Sequence, residues 1–189
     1  MKKLLFVFLI LLLSTNDVPA QGGKIAVYAD PAGAECDMIA PGLGLIIFYV
    51  VYTGTPEVQT IAFSAPMPAC MSTAVWLEDY YDATYILPPG NSQDGIVLSH
   101  FSCEPAPTTV MSITYFASFP LPSCCYYTVL AHPEFPSGLI EASDCDGNTF
   151  FPTGLMSTIN GNASCPRPIL ITVPTRETTW GKVKALFSE

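Results

Sequence analysis

From residue 25 to residue 166 the sequence contains no lysine and no arginine, yet it carries thirteen Asp and Glu. The body of the chain therefore has almost no internal ion pairs to draw on. Binding to DNA or RNA rests on clustered Lys and Arg against phosphate, and this absence excludes it. Charged residues make up only 12% against 50% hydrophobic, so stability has to come from apolar burial, backbone pairing and covalent links. Membrane-length hydrophobic runs are missing too. The longest, residues 4–13, has ten residues, where a spanning helix needs about 20. No Cys-x-x-Cys occurs, which argues against a thioredoxin-type redox site and a zinc ribbon. There is no Gly-x-Ser-x-Gly nucleophile elbow, and the only histidines are His100 and His132. Nothing in the sequence names a reaction, and no catalytic residue is assigned.

What is present begins with an export signal. Lys2 and Lys3, the apolar run and Val18-Pro19-Ala20 read as a signal peptide over residues 1–20. The expected location is secreted or cell-surface, in the periplasm or outside, of a bacterium. Losing Lys2, Lys3 and Asp17 changes the net charge from −9 to −10. Oxidising conditions outside the cytoplasm make disulfides the default for the seven cysteines: Cys36, Cys70, Cys103, Cys124, Cys125, Cys145 and Cys165. Seven is odd, so at most three bridges form and one thiol remains. The expected pairing is Cys36 with Cys70, Cys103 with Cys124 or Cys125, and Cys145 with Cys165. On a strand, adjacent Cys124 and Cys125 point to opposite faces and take different fates.

Short apolar segments rich in Val, Ile, Tyr, Phe and Thr alternate with Pro, Gly, Asn and Asp, the signature of strands and turns. Strands are expected around 25–28, 43–52, 58–65, 74–81, 85–87, 95–101, 109–119, 125–131, 139–145, 149–159 and 169–173. The stretch 43–52 is apolar on both faces and reads as a central strand buried on two sides. Segments 139–145 and 149–159 read as a hairpin closed at Asp146-Gly147-Asn148. Dense proline keeps such strands short. The fold class is all-β: a two-sheet antiparallel sandwich over residues 21–174, immunoglobulin/cohesin-like or jelly-roll. Residues 175–189 form a separate tail with a short helix. Trp180, Val183 and Phe187 fall on one stripe there, with Lys182 opposite. The abrupt gain of positive charge favours a detachable element read by a sorting partner over a packed terminus.

Two regions could carry binding chemistry. Over residues 76–82, strict alternation puts Trp76, Glu78 and Tyr80 on one face and Leu77, Asp79 and Tyr81 on the other. Exposed Trp76, Tyr80 or Tyr81 beside Glu78 could stack on a sugar; the plainer alternative is Trp76 in the core. Asp144, Asp146 and Asn148 are similar to a calcium loop. Glycine stands fourth from Asp144, however, and Leu155 twelfth, where an EF-hand has its glycine sixth and a bidentate Glu twelfth. A plain hairpin turn is favoured. No cofactor is implied, and calcium is the one cation the acidic body leaves open. Asn162-Ala163-Ser164 fits a glycosylation acceptor and marks a loop.

Residues 45–52, the turn at Gly54–Pro56 and Ile61-Ala62-Phe63-Ser64 resemble the opening strand pair of cohesin-like and carbohydrate-binding-like sandwiches. Residues 143–148 followed by Ser157-Thr158-Ile159 resemble their closing hairpin. Val27-Tyr28-Ala29-Asp30, Gly90-Asn91-Ser92-Gln93, Ser137-Gly138-x-Ile140-Glu141 and the end Thr178-Thr179-Trp180-Gly181-Lys182-Val183-Lys184-Ala185-Leu186-Phe187 resemble a group of secreted bacterial proteins. That likeness implies export and adds no chemistry. The expectation is a secreted, non-enzymatic structural or binding module with an extracellular protein or polysaccharide partner. The alternatives are a carbohydrate- or calcium-binding domain and a hydrolase built on a carboxylate pair.

Overall fold

The computed structural model describes residues 22–40, 42–81, 85–86, 90–162 and 165. The expected signal peptide, the strand over 169–173, the boundary at 174/175 and the tail with Trp180, Val183 and Phe187 lie outside the described residues. The chain opens with β1 (Lys24–Tyr28), β2 (Asp37–Met38), β3 (Gly44–Thr53) and β4 (Val58–Ser64). After a 3-10 turn at Ala69–Met71 come β5 (Ala74–Tyr80), β6 (Tyr85–Ile86), β7 (Gly90–Asn91), β8 (Gly95–Glu104) and β9 (Thr108–Ala117). Six short strands follow: β10 (Cys125–Thr128), β11 (Leu130–Ala131), β12 (Glu141–Ser143), β13 (Thr149–Phe150), β14 (Thr153–Gly154) and β15 (Met156–Ile159). No α-helix occurs among the described residues.

The strands form three sheets rather than the expected two. The first has the order β14-β1-β3-β9-β5, the second β13-β12-β4-β8-β6, and the third β10-β15-β2. Strand β11 also pairs with β4, and β7 with β8. The third sheet arises from two expected strands that break. Segment 125–131 divides at Val129, so β10 pairs with β15 while β11 joins β4. Segment 149–159 divides at Pro152, which has no N–H for a ladder. Strand β13 stays on β12, β14 crosses to β1 and β15 goes to β10. All three sheets feed one core. Phe48, Val50 and Ile113 come from the first, Ile61, Phe63 and Leu98 from the second, and Met38, Tyr127 and Ile159 from the third.

Rerouting β14 and β15 also overturns the expected disulfides. The bridges are Cys70–Cys125, Cys103–Cys145 and Cys124–Cys165, with Cys36 free and exposed. Cys165 follows β15 to the start of β10 and meets Cys124, not Cys145. Strands β8 and β12 flank β4, so Cys103 and Cys145 meet beside the start of β4. Buried Cys125 faces the core and bonds the 3-10 turn at Cys70, while Cys124 points away. The neighbouring cysteines do take different fates.

Strand β3 is central, yet only part of it is buried on both faces. Val50, Val51 and Tyr52 are enclosed, whereas Leu45 is 60% exposed and Ile47 also faces solvent. The loop 29–36 makes the difference. It folds over the second half of β3 with Gly33 against Val51, which belongs to a small buried cluster with Ala26 and Tyr28 that Tyr49 and Leu155 also pack against. The Asp30 carboxylate organises it, accepting hydrogen bonds from the amides of Ala32 (2.9 Å), Ala34 (3.1 Å) and Glu35 (2.7 Å). Chiefly the Glu35 amide holds this carboxyl below its ordinary range. Gly33, at φ 69°, packs where any Cβ would stand 3.0 Å from the Val51 methyl. Loop 29–36 leaves the first half of β3 uncovered.

Candidate docking face

Strand β5 does not keep the alternation expected of it. A bulge between Trp76 and Glu78 inserts Leu77 as an extra residue against β9. Parity reverses at that point. Trp76 lies opposite Tyr115 and Asp79 opposite Ile113, on the inward side. Val75 lies opposite Phe116, Glu78 opposite Thr114 and Tyr80 opposite Ser112, on the outward side. The expected sharing of one face by Trp76, Glu78 and Tyr80 is thereby corrected. Glu78 and Tyr80 stay together outside, while Trp76 and Tyr81 pack, half-buried, against the core.

A polar network holds the reversed strand. Asp79 Oδ1 accepts from Trp76 Nε1 at 3.0 Å and from Ser92 Oγ at 2.7 Å, and Oδ2 accepts from the Ser92 amide at 2.6 Å. Gln93 Nε2 donates to Ser92 Oγ and to Tyr115 Oη, at 2.9 and 3.1 Å. Tyr115 and Tyr127 share a hydroxyl–hydroxyl bond of 2.6 Å, and Tyr127 donates on to the Ala65 carbonyl at 2.9 Å. Burial raises the Tyr115 phenol to about 12 and Tyr127 well above its ordinary value. The Gly90-Asn91-Ser92-Gln93 stretch, noted in the sequence only as a likeness, is thus the brace between the first sheet and the core.

The outer side of β3, β9 and β5 forms an open face. Leu45, Phe116 and Val75 stand in register across the three strands, and Ile47, Thr114 and Glu78 form the next row. Tyr49, Ser112 and Tyr80 form a third. Val75 and Tyr80 are 58% and 66% exposed, and Leu77 is also in solvent. Leu43 and Phe119, where β3 begins and β9 has ended, extend the apolar surface. Single exposed apolar residues are ordinary; in-register rows of them are not. Sequence reasoning missed Leu45, Ile47, Val75 and Phe116. The available signal was the two-sided apolar run of β3, because one face of each sandwich sheet looks outward.

The remaining candidates lie elsewhere. Asp144 Oδ1 accepts from the Asp146 and Asn148 amides at 3.0 and 2.8 Å, and Asn148 Nδ2 donates to Oδ2 at 3.0 Å. The Asn148 side chain is the main reason this carboxyl is held below its usual range. Both Asp144 oxygens thus serve the turn, and Gly147 supplies its positive φ of 79°. Among the described residues no three His, Cys, Asp or Glu converge to hold a metal ion. Glu78 and Asp79 point to opposite sides of β5 and do not face each other. His132 packs on Phe135, and His100 lies within β8 with Nδ1 3.8 Å from Glu104.

No protein-family model matches the sequence, and no curated protein matches it. Among solved structures the chain is similar in fold to cohesin modules, and the class the fold defines is a cohesin-like β-sandwich. A type I cohesin–dockerin complex from Clostridium thermocellum aligns with a TM-score of 0.52 at 11% identity, covering 75% of this chain and 100% of that one. The sixth cohesin of scaffoldin B from Acetivibrio cellulolyticus aligns at 0.49 and 7% identity, covering 75% and 100%.

Proposed function

We propose that this chain is an extracellular, non-enzymatic module that docks a protein partner on the outer face of β3, β9 and β5. The observation that carries this reading is the exposed, in-register row Leu45–Phe116–Val75, continued by Ile47 and Tyr80. An apolar sheet face flanked by Glu78 suits a partner with apolar anchors and positive charge, because the body around it is acidic. The three disulfides fit maturation under oxidising conditions. The Clostridium thermocellum neighbour is a cohesin in complex with a dockerin. That pairing belongs to the neighbour and supports this reading only by analogy of fold. A sugar platform is less well supported, since the bulge turns Trp76 inward and leaves Tyr80 as the exposed aromatic beside Glu78.

The test immobilises the mature chain and a Leu45→Asp/Phe116→Asp variant, then passes extracellular protein and polysaccharide extracts over both. The variant is expected to melt somewhat below the parent yet stay folded at the assay temperature, because Leu45 is 60% and Phe116 39% exposed and each gives up only part of its apolar contact. Retention of one protein by the parent alone, confirmed by titrating that purified protein, supports the reading. Equal retention by both, or retention of polysaccharide instead, overturns it.

A further inference from the structure

Among the described residues, eight of the eleven large apolar side chains that stand exposed lie on the outer face of β3, β9 and β5 or at its ends, from Leu43 and Phe119 to Tyr80. Each is more than a third exposed, and together they present on the order of 800 Å², the share that each partner gives to an interface of standard size. The three rows of the face hold a single charge, Glu78. An apolar sheet face is complementary to another of its kind, because two sheets pack about 10 Å apart with their strands aligned within about 30°.

The order of the strands says how a second copy would sit. Strand β9 lies between β3 and β5, so a two-fold axis along β9 sets β5 of each copy over β3 of the other. Val75 then meets Leu45 of the second copy, and Phe116 meets its own counterpart on the axis. The two Glu78 side chains stand on opposite sides of the axis, two strand spacings or about 10 Å apart across the sheet. An axis across the strands through the middle row would instead bring the two Glu78 together, a like-charge contact. Pairing β5 to its counterpart edge to edge is opposed by the bulge at Leu77, which breaks the ladder. Loop 29–36, the raised feature beside the face, does not obstruct the first arrangement. Its Pro31 carbonyl accepts from Thr109 Oγ1 at 2.6 Å and Gly33 sits against Val51. Strand β5 ends at Tyr80 opposite Ser112, so the loop lies past the end of β5 of the second copy.

We infer that two copies of the mature chain pair through the outer faces of β3, β9 and β5 about a two-fold axis along β9, and that an extracellular partner has to separate them. The inference rests on the reading of this face as a docking surface and adds its resting occupant, a second copy. Both copies are acidic, so repulsion between the bodies keeps the pairing weak. A partner with apolar anchors and positive charge meets no such repulsion and replaces the second copy.

The test uses the full mature chain with Cys36→Ser, because the exposed free thiol would otherwise allow disulfide-linked pairs that have nothing to do with the face. Sedimentation equilibrium should show monomer and dimer exchanging in the micromolar range. Val75→Lys and Leu45→Asp, each made alone, should weaken the dimer at least about tenfold, since each sets a charge against an apolar side chain of the second copy. Mixed one to one, the two variants should recover it. The new lysine of one then meets the new aspartate of the other, and the remaining Leu45–Val75 contact is intact. Recovery also shows that both variants are folded. A chain that stays monomeric up to about 100 μM, a dimer indifferent to either substitution, or a mixture no better than its components overturns the inference. A monomeric chain that still retains an extracellular protein at this face overturns the pairing and leaves the docking reading standing.

Discussion

Trp76 and Asp79 are joined across the bulge that lies between them. The indole N–H donates to the carboxylate at 3.0 Å, and the same carboxylate takes both the amide and the hydroxyl of Ser92. The pair turns inward what alternation would have turned outward, and Glu78 and Tyr80 reach the open face as a result. Asp79→Ala leaves three donors without their acceptor. Unfolding by denaturant should show a loss of at least about 2–3 kcal/mol, since Ser92 is fully buried and a buried donor left unmatched costs about 1–3 kcal/mol, the half-buried Trp76 N–H costing least. Asp79→Asn keeps an acceptor and should lose less. An unchanged midpoint in Asp79→Ala would mean the network does not hold the strand.

Alkaline pH should unfold the domain through its buried phenols. Burial raises Tyr52 and Tyr115 to about 12 and Tyr127 well above its ordinary value. The unfolded chain releases these protons near pH 10. Above that pH the unfolded state binds fewer protons than the native one, so stability is full below pH 10 and falls as pH rises toward 12. Phenolate absorbance should show the exposed tyrosines titrating first and the buried ones only with unfolding. A melting temperature flat from pH 9 to beyond pH 11 would contradict this.

Cys36 should be the single free thiol. Alkylation of unfolded, unreduced protein is expected to add one label by mass, and none to Cys36→Ser. Partial desolvation of the sulfur, then Asp37, pushes this thiol above its ordinary value although the residue is exposed, so the native protein should be labelled more slowly than an ordinary thiol at the same pH and faster as pH rises. Two or more labels would break the bridge assignment.

Removing the Cys70–Cys125 bridge frees a long loop, the two residues being 55 apart in sequence. Chain-entropy reasoning gives about 4 kcal/mol for a closed loop of that size. Cys70→Ala/Cys125→Ala should therefore melt well below the parent, and the fall should exceed that of Cys36→Ser by a wide margin. Equal melting temperatures would show that packing around Cys125 already restrains this region without the bond.

Strand positions were legible because period-two patterning and proline punctuation are local signals. Strands β1, β3, β4, β5, β8 and β9 fall close to where they were expected. Sheet partners were not legible. Pro152 ends β13, but nothing local says that β14 then joins β1 or that β15 joins β10, and the disulfides depend on those choices. The face was half legible. The run 43–52 announced a strand apolar on both sides, yet whether loop 29–36 would cover all of it depends on Asp30 and Gly33 folding that loop back. The orientation of Trp76 was out of reach, because a bulge is set by the partner strand and by Ser92, which lies thirteen residues beyond Asp79.

The adjacent cysteines also decide how the domain would behave under tension. Pulled between Gly22 and Cys165, the chain has a covalent short cut: across the bond from Cys70 to Cys125, along one peptide to Cys124, and across the second bond to Cys165. Residues 71–123 and 126–164 are off that line. Strands β5 to β15 bear no load along their own backbone, and only residues 22–70, with β1 to β4, can be drawn out. The extension is capped at about 170 Å, the contour of that first segment. Reducing Cys124–Cys165 alone returns residues 126–164 to the load path, so the extensible length becomes a function of redox state.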